Sequence, residues 1–142
     1  MRPETVKEKP SVIVQTKPIW TKYYNELVTI CSMSYKVKYN ISGNRVVNAL
    51  FNNLVMRTLV KKFPTTNKVK GKAVLSGSDK FNEAVGTSIA TSKARIKAYE
   101  HILKQLRYVE EYLLKIVGSI EDTCASIEKD VQNEKDSINS YR

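Results

Sequence analysis

Few residues in this 142-residue chain have the chemistry of a catalyst. Its one histidine, His101, has no cysteine or carboxylate at metal-ligand spacing, so a zinc site is not expected. The acids gather between Glu110 and Asp136, interleaved with Lys115, Lys129 and Lys135 at helical spacing. That is the pattern of a solvated helix face rather than of an acid–base pair. No dinucleotide fingerprint, phosphate-binding loop or nucleophile elbow occurs. The residue types therefore point away from an enzyme, and no motif asks for a cofactor.

What they offer instead is binding. Arg57 lies among apolar residues on an expected strand. Thr87, Thr91 and Arg95 recur at steps of four on an expected helix and form one polar row. Phe81 stands near the start of that helix, after Ser76-Gly77-Ser78-Asp79. Small polar residues there suit a cap, and the free backbone N–H groups suit an anion. An arginine, an aromatic and hydroxyls around a helix N-terminus can hold a phosphate, stack a base and contact a ribose. Taken singly, each has a plainer reading, with Phe81 a core anchor and Arg95 a surface cation.

Charge supports a binding role. The net charge is +10, and it is uneven. Residues 1–75 hold fourteen Lys/Arg and three Asp/Glu, whereas residues 76–142 hold ten and eleven. A field of this kind draws phosphates, whether on nucleic acid, on a nucleotide-like ligand or on an acidic surface. Lysines at solvated strand positions also keep sheet edges apart, which is the plainer account of any one of them.

The elements that would position these residues read as α+β: a small antiparallel sheet in the N-terminal half, packed against one long or kinked C-terminal helix. Residues 1–18 form a basic arm, broken by Pro3, Pro10 and Pro18, in which Ser11–Val14 could add an edge strand. Residues 19–26 suit a strand or a short helix. Leu27–Ile41 alternates with period two and reads as a half-buried strand, and Ser42-Gly43-Asn44 as a hairpin turn. From Arg45 to Phe63 a helix stripe fits about as well as two strands. The β-branched content and Asn52-Asn53 favour two strands joined by a tight turn. Lys68–Leu75 alternates again, with Lys68, Lys70 and Lys72 on one face.

Ser76–Arg142 reads as one long helical segment. Its heptad seam runs from Tyr99 to Val131, interrupted by Glu110. Gly86, Ala90 and Ala94, at steps of four, would let a neighbour approach the backbone. Residues 19–117 then form the binding domain. Residues 118–142 form a helical extension for oligomerisation or partner contact, continuous or kinked at Gly118 and fraying after Val131. Such a seam outruns a sheet of short strands, so a homo-oligomer joined through these helices is expected. Cys31 and Cys124 both fall on apolar phases and read as reduced core residues. No segment approaches ~20 consecutive apolar residues, the length that spans a membrane, and a cytoplasmic setting fits.

The run Val69-Lys70-Gly71-Lys72-Ala73-Val74-Leu75-Ser76-Gly77-Ser78-Asp79-Lys80-Phe81-Asn82-Glu83, continued by Ala84-Val85-Gly86-Thr87-Ser88-Ile89-Ala90, resembles a module of small phage proteins. In that module a strand enters a D-x-F-[DN]-x-x-x-G turn and then a long helix rich in Ala, Arg and Lys. Among such proteins the chain most resembles the viral Thoeris anti-defence sponge family, over roughly residues 55–105. The resemblance implies an oligomer with an antiparallel sheet packed by long helices, acting in the host cytoplasm. It implies sequestration, without cleavage, of cyclic ADP-ribose isomers made by host immune enzymes, and in some members of cyclic oligonucleotides. It suggests Phe81 as the base-stacking aromatic, with Arg57, Thr91 and Arg95 near the ligand. The charge asymmetry alone fits a basic nucleic-acid-binding protein equally well, and the exposed seam fits an inhibitor of a host protein.

Overall fold

The computed structural model describes residues 9–24, 27–63, 67–74 and 83–141. In chain order they form β1 (Ser11–Tyr24), β2 (Val28–Asn40), α1 (Arg45–Val60), β3 (Lys68–Val74) and α2 (Glu83–Asn139). The strands make one antiparallel sheet in the order β1-β2-β3, so the architecture is α+β with a long C-terminal helix. Two compact units divide between Gln105 and Leu106.

In the first unit, β1 starts at Ser11. Residues 11–18 of the expected arm are therefore sheet, and residues 19–24 continue the strand rather than forming a short helix. Pro18 is tolerated because β1 is an edge strand and its register shifts between Pro18 and Trp20, leaving Ile19 as the extra residue. β2 keeps the alternation of its sequence: Thr29, Cys31, Met33, Tyr35 and Tyr39 are buried. Opposite them on the same face, Val69, Gly71 and Ala73 of β3 pair with Met33, Cys31 and Thr29.

α2 lies on that face through its smallest residues. Ala90, Ala94 and Ala98 are fully buried, and Ile102 nearly so. A Cβ on Gly71 would overlap the Ala90 carbonyl oxygen and the Ala94 amide nitrogen, and would stand 2.9 Å from the Ala94 Cα. Glycine is needed at position 71 because helix and strand backbones meet there. Gly86 is similarly close to Thr29, whose Oγ1 would lie 2.6 Å from an added Cβ. The larger apolar residues of this part of α2, Val85, Ile89, Ile96, Tyr99 and Leu103, are exposed. The helix thus covers the sheet with its alanine row and not with the apolar stripe.

Three local expectations are corrected. Arg45–Val60 is one helix, not two strands. Its stripe buries Val55 and Leu59, and tertiary partners for Asn48 and Asn52 outweigh the β-branched propensity. Ser42-Gly43-Asn44 is a helix entry rather than a hairpin turn: the Asn44 side chain accepts from the N–H groups of Val46 (2.8 Å) and Val47 (3.2 Å). Cys124 is exposed, whereas Cys31 is buried.

The second unit, residues 106–142, is helical through Gly118 and past Val131 to Asn139, so neither a break nor early fraying occurs. Its heptad positions Leu113, Val117, Ile120, Ile127 and Val131 are exposed, Ile120 by 56%. Arg107 and Glu110 pair at 3.3 Å on its surface. Among the described residues, no helix is long and apolar enough to cross a membrane.

Candidate functional site

β3 accompanies β2 only as far as the pair Ser34 and Lys68. Beyond it, the outer edge of β2 needs other partners, because buried backbone groups are costly to leave unpaired. The Tyr35 N–H donates to the carbonyl of Asn67 at 3.0 Å. At Tyr39 the partner is a side chain of α1. Asn52 Oδ1 accepts from the Tyr39 N–H at 2.8 Å, and Asn52 Nδ2 donates to the Tyr39 carbonyl at 2.8 Å. One carboxamide thereby does the work of a strand residue. One turn earlier, Asn48 Oδ1 accepts from the N–H groups of Ile41 (2.9 Å) and Ser42 (3.0 Å), and its Nδ2 donates to Asn40 Oδ1 at 2.7 Å. Phe51 closes the junction edge-to-face on Tyr39, with ring centroids 5.7 Å apart.

Between Asn67 and α1 this arrangement leaves a cleft of about 850 Å³. By strand parity Val37 lies between Tyr35 and Tyr39 with its backbone N–H and C=O turned to the same edge, and it lines the cleft. Lys36, Lys38 and Arg45 supply cationic walls, Asn53 and Asn67 supply amides, and Ile13 and Met56 supply apolar surface. No lining residue is acidic. Three cations and the amides of Asn53 and Asn67, without a carboxylate, suit an anion with several acceptor atoms.

Tyr35 also lines the cleft, and burial pushes its phenol above the ordinary 10.0 while a hydrogen bond from Gln105 opposes the shift. Its hydroxyl meets His101 Nδ1 at 3.4 Å, with the rings edge-to-face. Burial pushes the Tyr39 phenol up as well. Both hydroxyls therefore keep their protons at neutral pH and remain donors.

Of the residues singled out from sequence, the three that are described lie elsewhere. Arg57 is exposed on the last turn of α1. Thr91 and Arg95 are half-buried on α2 in the same row as Thr87, whose hydroxyl sits 2.6 Å from the Tyr23 hydroxyl. Neither they nor Arg57 line the cleft. Phe81, with the expected cap at 76–79, lies outside the described residues. Sequence reasoning missed Arg45, Asn48 and Asn52. The available signal was the spacing of the two asparagines, one helical turn apart after an Asn cap, and the strand reading of this stretch hid it.

The face of the sheet opposite α2 carries a different chemistry. Lys17 and Lys22 of β1 and Lys68, Lys70 and Lys72 of β3 lie on it, joined at the cleft end by Lys36 and Lys38 of β2; all seven are exposed. Trp20 pairs with Ser32 in the middle of this face, and Ser32 is buried there. The ammonium groups of Lys22 and Lys70 lie 4.9 and 5.4 Å from the Trp20 ring centroid. None of the described strands contains an acidic residue. Compared with protein-family models, curated proteins and solved structures, the chain matches none.

Proposed function

We propose that the chain is a phage anti-defence protein that binds a compact cyclic ADP-ribose-type signal in the host cytoplasm and withholds it without cleaving it. The observation that carries this reading is the cleft between β2 and α1. At about 850 Å³ it is within the roughly 300–1,000 Å³ of small-molecule sites, and it is too small for folded nucleic acid. Its three cations match the phosphates of such a signal, and its amides match ribose hydroxyls and base edges. The asparagines that build it are fixed by hydrogen bonds to backbone before any ligand arrives, which lowers the ordering cost of binding. The resemblance of residues 55–105 to the Thoeris sponge family points to the same ligand class. A homo-oligomer belongs to this reading, since the exposed heptad positions of α2 fit association with a second copy.

The test is a set of single substitutions assayed by equilibrium dialysis with a cyclic ADP-ribose isomer. Arg45→Ala removes a charged hydrogen-bonding partner and is expected to weaken binding about tenfold or more. Arg57→Ala and Arg95→Ala are expected to stay near the parent affinity. Loss of binding in Arg95→Ala with Arg45→Ala unchanged would move the site to the polar row of α2. No binding by the parent chain would end the sponge reading.

A further inference from the structure

The open face of the sheet presents a problem that the cleft does not explain. It lies opposite the alanine row of α2, and away from the cleft it concentrates exposed ammonium groups around the chain's single tryptophan. A sheet face solvated for its own sake would mix charges of both signs, yet this one has no acid among its described residues. Nor is Trp20 needed to fill the core, which lies on the other face with Cys31, Met33 and Tyr35. Trp20 is half-buried, so part of its ring is reachable from solvent.

We propose that this face binds single-stranded nucleic acid, with Trp20 stacking on a base and the lysines of β1 and β3 following the phosphates. The geometry favours a regular polyanion. Lys68, Lys70 and Lys72 stand at two-residue intervals along β3, a spacing of about 6.6 Å. Such a row suits a chain with one charge per repeat better than the irregular acids of a protein surface. A single strand is favoured over a duplex because only unstacked bases can offer a face to the indole. In the free protein Lys22 and Lys70 sit over the ring. An incoming base would take their place and leave both ammonium groups beside the phosphates of the same nucleotide. The cleft shares Ile13, Ser34, Lys36, Lys38 and Asn40 with this face, but Trp20 and the lysines of β1 and β3 do not line it, so the two readings are tested by different residues.

Because Trp20 is the sole tryptophan, its fluorescence reports on this face alone. The experiment titrates the full chain with a short oligothymidylate between about 50 and 200 mM salt, with a duplex and anionic phospholipid vesicles as parallel arms. The proposal expects saturable quenching by the oligothymidylate. If four phosphates are neutralised, the slope of log K against log salt is about −3. In anisotropy assays with labelled oligonucleotide, Trp20→Ala should bind about tenfold more weakly and Trp20→Phe should recover much of the loss. Lys70→Glu should weaken binding and flatten the salt slope. Binding without quenching and unaffected by Trp20→Ala would overturn the proposal. So would equal or tighter binding of the duplex, or binding of the vesicles alone.

Discussion

Asn52 joins α1 to the sheet through two hydrogen bonds to one residue, Tyr39, and a further bond from its Nδ2 to the Asn48 carbonyl holds the side chain against its own helix. Asn52→Ala leaves the Tyr39 N–H and C=O without those partners at a half-buried edge. The expected cost is about 1–3 kcal/mol, read as a lower urea midpoint at unchanged slope. A second residue-scale effect comes from the phenols. Burial raises Tyr35 and Tyr39 above 10.0, so at alkaline pH the unfolded chain releases phenolic protons that the folded chain retains. Stability from this source is complete below about pH 10 and is lost as pH rises through the folded-state values. Urea midpoints should therefore fall on going from about pH 10 to pH 11, and Tyr39→Phe should lessen the fall. An equal fall in Tyr39→Phe would assign it to other groups. Little of this was legible in the sequence, since Asn52-Asn53 has the composition of a turn. Only the unpaired end of β2, a partner distant in sequence, makes a helical asparagine the better solution.

At the scale of elements, period-two alternation located β2 and β3 nearly to the residue, because one buried face leaves no freedom of register. Helical periodicity also located α2, but it could not say which face of α2 meets the sheet. The apolar stripe is the stronger pattern, yet Gly71 brings the backbones so close that only the row of Gly86, Ala90, Ala94 and Ala98 fits. Close approach selects small side chains, and the stripe is left exposed. That exposure makes a prediction about the heptad positions of residues 106–142. Lysine at both Leu113 and Ile120 should reduce the sedimenting mass to that of one chain while leaving the sheet's circular dichroism unchanged. A parent chain already sedimenting as a monomer at micromolar concentration would remove the helix-mediated assembly from the account.

Over the whole molecule, charge was the property the sequence displayed most openly. The excess of cations in residues 1–75 becomes an acid-free sheet face and a cleft walled by Lys36, Lys38 and Arg45. The location of the cleft was not legible, because it arises from the mismatch between a long β2 and a short β3, and strand lengths depend on pairing. The arginine–hydroxyl row proposed from sequence does exist as Thr87, Thr91 and Arg95, but its first member holds the hydroxyl of Tyr23 and the row lies outside the cleft. The central claim is that the protein holds a compact cyclic nucleotide-like anion and returns it unchanged. Calorimetric titration with cyclic ADP-ribose isomers at moderate salt tests it most directly, followed by heat denaturation and analysis of the released ligand. The account predicts saturable binding by at least one isomer and full recovery of that isomer intact. No heat with any isomer, or recovery of a cleaved product, would contradict it.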